Sequence, residues 1–256
     1  MKIDGRTAIV TGAASGIGRA SAMALAAHGA RIVVVDIDPS GRRVVDEIES
    51  AGGEASFFAA NVASATSLAE MFSFAEAAYG GFDILHNNAG IMFPGGFEDQ
   101  PIGAWVRMIE VNFLSVVFAT HAAIPVLTRR GGGAILQTAS IAGVLAYPSS
   151  PIYAASKAAV VSFTRSLAPL KKSANVAVNC LCPELVDTPP IQEGRLRNRA
   201  AGISTKPMTL PPIPVEAVAA AAVELIQNDT LAGQAMKVSP GRPAELLEFP
   251  DWGLRR

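Results

Sequence analysis

Short apolar, β-branched runs alternate with Ala-rich amphipathic stretches along the whole chain. Thr7–Thr11 and Arg31–Asp36 are the continuous apolar runs expected of strands buried on both faces of a parallel sheet. Further strands are predicted at Glu54–Ala59, Phe82–His86, Gly133–Thr138, Asn175–Leu181 and Ala235–Val238. Between them the pattern predicts helices at Arg19–His28, Pro39–Ala51, Ser64–Tyr79, Pro101–Arg129, Ile152–Lys171 and Val215–Gln227. Gly29 ends the first of these. Ser64 is placed to cap the third, with Ser67 to Glu70 as a capping box one turn late. Pro125 marks a bend or an early end in the long fourth helix. Strands separated by helices throughout predict an α/β fold, a doubly wound parallel sheet with helices on both faces. No linker, internal repeat or low-complexity segment interrupts the pattern, so a single domain spanning residues 1–256 is expected.

Composition narrows this picture. Half of the 256 residues are apolar and 17% are charged, which fits a chain burying a large core. The net charge of −1 gives no reason to expect a nucleic-acid partner. Cys180 and Cys182 fall in one strand-to-loop stretch and read as small reduced hydrophobes; no Cys or His cluster has metal-ligand spacing, so no metal is expected. The N-terminus lacks the apolar stretch of a signal peptide, and no run reaches transmembrane length. The run Val215 to Ile226 is too short and carries Glu216 and Glu224. A soluble cytoplasmic protein without a membrane partner is the expectation.

The candidate chemistry sits just after the predicted strand ends, the edge at which open sheets bind ligands. After the first strand comes Gly12-Ala-Ala-Ser-Gly16-Ile-Gly18 and then a helix. Glycines let a backbone turn sharply and approach an anion, and a helix N-terminus offers free N–H groups. The spacing is G-x-x-x-G-x-G, not the more familiar G-x-G-x-x-G. Asp36 closes the second strand; an acid there accepts hydrogen bonds from ribose hydroxyls and repels a 2′-phosphate, which favours NAD over NADP. Tyr153 and Lys157 lie one turn apart on one helix face. A cation near a phenol lowers its pKa from about 10, making an acid/base for an alcohol or a carbonyl. By itself that pair reads first as an amphipathic helix with a snorkelling lysine.

Thr11-Gly-Ala-Ala-Ser-Gly-Ile-Gly18, Asn87-Asn-Ala-Gly90, Asn112, Ser140 and Tyr153-x-x-x-Lys157 resemble, in order and spacing, the motif set of the short-chain dehydrogenase/reductase family. The resemblance spans essentially the whole chain. It implies a Rossmann-type fold of about seven parallel strands, a nicotinamide cofactor, and NAD-dependent hydride transfer between a secondary alcohol and a ketone. It also implies a homodimer or homotetramer formed through the helices that carry Asn112 and Tyr153. Leu181-Cys-Pro183 and Leu231–Lys237 are most similar to the 15-hydroxyprostaglandin dehydrogenase-like members, without their substrate being carried over. In the roles so implied, Tyr153 is the acid/base, Lys157 lowers its pKa and bonds the nicotinamide ribose, and Ser140 donates to the substrate oxygen. Asn112 holds a water leading protons from Lys157 to solvent. Gly12, Ser15, Gly16, Ile17 and Gly18 line the pyrophosphate. Asp36 with Ile37 holds the adenosine ribose, Asn61 and Val62 the adenine, Asn88 and Gly90 the inner ribose, and Pro183, Val186 and Thr188 the nicotinamide.

Alternatives stay open for several positions. Asn88 and Gly90 also suit a plain turn, and Asn112 a buried tie between helix and strand. His28, His86 and His121 show no partner pattern and read as surface or satisfied core residues. Trp105 and Phe113 read as interior or subunit contacts. Glu184 stands where the family has glycine: glutamate resists positive φ, and its carboxylate either faces solvent or lies near the nicotinamide and favours NAD⁺. Residues 188–214 form a long basic segment (Arg195, Arg197, Arg199 and Lys206 against Glu193), either a solvated loop or a lid for an anionic substrate. Gly95, Gly96 and Tyr147 sit in loops that can contact substrate. The rival functions are a ketoacyl-type reductase, a dinucleotide-sensing regulator without turnover, and a purely structural protein.

Overall fold

The computed structural model describes residues 1–93, 97–189, 191–192, 196 and 211–250. In chain order the elements are β1 (Thr7–Thr11), α1 (Gly16–Ala27), β2 (Arg31–Asp36), α2 (Gly41–Ser50), β3 (Glu54–Ala59), α3 (Ala65–Tyr79) and β4 (Ile84–Asn87). Then follow α4 (Ile102–Ile109), a π-helical turn (Glu110–Leu114), α5 (Ser115–Arg129), β5 (Gly133–Thr138), α6 (Pro151–Ser166) and α7 (Leu170–Ala174). The chain continues through β6 (Val176–Pro183), α8 (Val215–Gln227), β7 (Ala235–Val238) and β8 (Glu245–Leu246). One sheet runs in the order β3-β2-β1-β4-β5-β6-β7-β8. The first seven strands are parallel and β8 pairs antiparallel with β7, so the expected doubly wound sheet gains an eighth strand. At two residues, β8 is too short to show a period of its own.

Apolar residues of α1, α2 and α8 (Leu25, Ile48, Val218) pack on one face with Ile32, Ile84 and Leu136. Those of α3 and α5 (Met71, Leu127) pack on the other with Ile9, Val33 and Ile135. α6 adds Val160 and Val161 against Cys180 and Cys182, which lie inside β6 and not at its loop end. The strand order reverses between β1 and β4, which opens a crevice above their carboxyl ends. At the opposite edge the buried Asp83 carboxylate accepts from the Thr7 amide at 3.0 Å and meets Arg6 at 3.1 Å and Arg130 at 3.3 Å. That ties the starts of β1 and β4 to the end of α5.

Most element boundaries fall within a few residues of the sequence expectation, and the helices show the clearest departures. Helix α6 stops at Ser166, not Lys171, because Pro169 has no N–H and disfavours helical backbone before it. α5 continues through Pro125 to Arg129 without ending there. Ile102–Arg129 forms 28 continuous helical residues, the long helix the pattern predicts, and is by length and composition enough to cross a membrane, whereas no run of transmembrane length was expected. It carries the buried Asn112 and packs on α3, α6, β4 and β5.

Candidate active site

The loop after β1 is shaped for close approach. Gly12 has φ +65°, a left-handed conformation, and a Cβ there would lie 2.8 Å from the Ala89 Cα. A Cβ on Gly18 would fall 2.1 Å from the Gly12 carbonyl oxygen, so only glycine lets α1 begin this close to the loop. Ser15 is the N-cap of α1, its side chain making no cap bond among the described residues, and no acid stands in the first turn. The first N–H groups of Gly16, Ile17 and Gly18 thus present an anion cradle with a positive dipole end. At the end of β2, Asp36 braces the loop: its carboxylate accepts from the Ala14 amide at 2.9 Å and the Asp38 amide at 3.0 Å. Ile37 beside it is 69% exposed. Val62 is buried in the core, and the Asn61 side-chain oxygen Oδ1 accepts from Ala63 N–H and Arg107.

Asn88 is bound on every side. Its amide nitrogen donates to the carbonyls of Thr11 (3.0 Å) and Gly12 (3.3 Å), and its carbonyl oxygen accepts from the Thr138 hydroxyl at 3.0 Å. The Thr11 hydroxyl accepts in turn from the Asn88 and Ala89 amides. The Asn88 side chain therefore holds the glycine loop to β4 and β5. Thr138 did not stand out as a site residue in the sequence; its only signal was position at a strand end.

Ser140 follows β5, and Tyr153 and Lys157 lie on one face of α6. Lys157 is buried, and its ammonium donates to the Thr138 carbonyl at 2.7 Å and sits 5.8 Å from the Tyr153 ring centre. Gly90 approaches so closely that a Cβ on it would be 3.3 Å from Lys157 Nζ and 3.4 Å from Asn112 Oδ1. Asn112 occupies the π-helical turn, a departure frequent at functional sites. Its side chain accepts from Ile91 N–H (2.7 Å) and donates to Ile91 O (2.9 Å) and Ser156 Oγ (3.1 Å). These bonds tie the helix to the segment that follows β4, and both amide hydrogens of the side chain are taken.

Burial dominates the electrostatics of the Tyr153 and Lys157 pair. Burial pushes the Tyr153 phenol above its ordinary value; a hydrogen bond with Ser140 works the other way, and Tyr147 adds to the rise. Burial also brings Lys157 down from 10.5 to about 8, against an opposing pull from Cys182 and Cys180.

Around the reacting edge, the Tyr147 ring meets Tyr153 edge-on at 6.3 Å. Leu145 and Met92 are exposed on the neighbouring loops. The loop beyond β6 folds over the cradle: a Cβ on Gly16 would be 3.2 Å from the Thr188 methyl, and Val186 is buried and bridged to Ile213. Pro183 is buried at the end of β6. Glu184 accepts from Ser239 at 2.8 Å and pairs with Lys237 at 3.5 Å, and among the described residues Asn175 is the one non-glycine with positive φ. The Glu184 carboxylate is therefore held at the end of β7. Gly95, Gly96, Glu193, Arg195, Arg197, Arg199 and Lys206 lie outside the described residues. Among those described, no group of His, Cys, Asp and Glu converges as a metal site.

Comparison with known proteins agrees with this geometry. Residues 6–198 match the short chain dehydrogenase family model. Cyclohexanol dehydrogenase of Acinetobacter sp. is 36% identical over 194 residues, 75% of this chain and 77% of that protein. D-beta-hydroxybutyrate dehydrogenase of Cupriavidus necator is 34% identical over 192 residues, 75% and 74% of the two chains. A crystal structure of a putative NAD(P) dependent gluconate 5-dehydrogenase from Beutenbergia cavernae, with NADP bound at low occupancy, superposes with a TM-score of 0.82. It is 31% identical, with 93% of this chain and 97% of that one covered. These relatives are other dehydrogenases and lend no support to the narrower 15-hydroxyprostaglandin dehydrogenase resemblance. The matched family model, the extent of these identities and the shared fold together establish that the chain is an oxidoreductase belonging to the short-chain dehydrogenase family.

Proposed function

We propose that the protein interconverts a secondary alcohol and a ketone with NAD, Tyr153 serving as the acid/base. The observation that carries this reading is the meeting of Tyr153, Ser140 and Lys157 at the sheet edge beside the glycine cradle. The cradle fits a dinucleotide: an uncapped helix start would hold a pyrophosphate, and Gly12 and Gly18 keep it free of side chains. A nicotinamide bound there supplies the hydride acceptor or donor. Tyr153 takes the proton from the alcohol hydroxyl, or returns it to the carbonyl. Ser140 donates to the same oxygen as it gains alkoxide character. Lys157 holds positive charge behind the phenol and carries protons onward. Because burial raises the phenol, alcohol oxidation is expected to quicken as pH rises into the alkaline range.

Asp36 supports NAD over NADP. Its carboxylate, with Asp38 two residues on, would oppose a 2′-phosphate. The relatives named for cyclohexanol and hydroxybutyrate support a secondary alcohol as substrate. Ile102, Val106 and Phe118 lie exposed on the α4–α5 helix and support a homo-oligomer formed through it.

The test follows reduced-nicotinamide absorbance with a panel of secondary alcohols, half neutral and half bearing a carboxylate, with NAD⁺ and NADP⁺ in parallel. Turnover with NAD⁺ alone is expected, and Tyr153→Phe abolishes it. Preference for NADP⁺ overturns the Asp36 argument. Tight NADH binding without turnover across the panel favours a dinucleotide sensor instead. Better kcat/KM for the acidic alcohols favours the basic segment 188–214 as a lid.

A further inference from the structure

The proposed chemistry leaves one buried titratable side chain unused, His86 in β4. Its register places it between Val10 of β1 and Leu136 of β5, with no exposed surface. Its Nε2 lies 3.0 Å from the Thr138 hydroxyl, while its Nδ1 has no partner among the described residues. The direction of each bond follows from the network. Both Asn88 amide hydrogens go to carbonyls, so its oxygen faces Thr138 and takes the single Thr138 hydroxyl hydrogen. Thr138 is left to accept, so the ring carries its hydrogen on Nε2. Burial keeps the ring neutral down to about pH 3, so this tautomer holds wherever the enzyme works.

A valine or leucine would fill this apolar position without leaving a buried nitrogen unpaired, so packing stability does not account for the histidine. Thr138 sits at a junction: its carbonyl holds Lys157 and its hydroxyl holds Asn88, which clamps the carbonyls of Thr11 and Gly12. We infer that His86 is a positioning residue, which by donating to Thr138 orients that hydroxyl toward Asn88 and so sets the shape of the glycine loop for the dinucleotide. This rests on the dinucleotide reading above.

The experiment titrates NADH, by its own fluorescence, into the full chain and its His86→Leu, His86→Gln and Thr138→Val variants and the His86→Leu/Thr138→Val pair, with a thermal melt of each. His86→Leu is expected to weaken NADH binding about three- to tenfold, the factor one neutral hydrogen bond carries, with no fall in Tm. His86→Gln keeps a donor and stays within about twofold of wild type. The double variant binds no more weakly than Thr138→Val alone, since both act through one hydroxyl. Wild-type binding by His86→Leu overturns the inference, as does equal weakening by Leu and Gln accompanied by a lower Tm. A wild-type chain that binds neither NADH nor NADPH overturns the dinucleotide reading itself, and this inference with it.

Discussion

Lys157→Met separates what the buried lysine does for the reaction from what it costs the fold. The side chain is 3% exposed, and its ammonium has the Thr138 carbonyl at 2.7 Å as its hydrogen-bond acceptor. Burial takes its pKa from 10.5 to about 8. At neutral pH that displacement corresponds to roughly 3 kcal/mol against the folded state. Methionine keeps most of the buried methylene packing and removes the charge, but leaves the Thr138 carbonyl without its donor, a loss of about 1–2 kcal/mol. The variant should therefore be more stable than wild type at pH 7 by about 1–2 kcal/mol, or about 2–8 °C in Tm for a chain of this size. The pH dependence has a definite sign. Between pH 8 and 10.5 the unfolded chain keeps the lysine proton that the folded chain has released. The unfolded state then binds more protons, so wild-type stability climbs with pH through that window and the advantage of the variant fades. Thermal melts followed by circular dichroism at pH 7 and pH 10 measure both effects, and turnover should be lost at either pH. A variant less stable than wild type at pH 7, with the same difference at pH 10, would falsify the burial argument.

Two further substitutions test the frame around the site. Asp83→Ala removes the carboxylate that joins Thr7 N–H, Arg6 and Arg130. Because the arginines are partly exposed and can turn to water, the loss should be about 2–3 kcal/mol, below the usual range for a broken buried pair. It is read as a lower urea midpoint at unchanged m-value, and an unchanged midpoint would remove the clamp from the account. Glu184→Gly should leave the ratio of NAD⁺ to NADH affinity as it was, because the carboxylate is already held by Ser239 and Lys237. A ratio that moves toward NADH on titrating both forms would return Glu184 to the nicotinamide.

The amino-acid sequence by itself determined the alternation of buried strands and helices, because burial on one or both faces leaves a periodic mark on neighbouring residues. Val215–Gln227 and Ala235–Val238 form with the bounds their patterns predict. It also determined that the glycine loop, Asp36, Ser140, Tyr153 and Lys157 share one edge, since each follows a strand end or rides the helix after it. The break before Pro169 was written there too, in the missing N–H, although the apolar pattern ran past it. What only the tertiary structure decided is which polar groups meet. Thr138 finds His86 and Asn88 through the register of β4 on β5, and Glu184 finds Ser239 across β6 and β7. Strand order and register are long-range choices with no local signature. The same holds for the direction in which Tyr153 and Lys157 titrate. Spacing along α6 places the ammonium near the phenol, but the water removed by the surrounding elements outweighs that charge, and desolvation is a property of the whole fold.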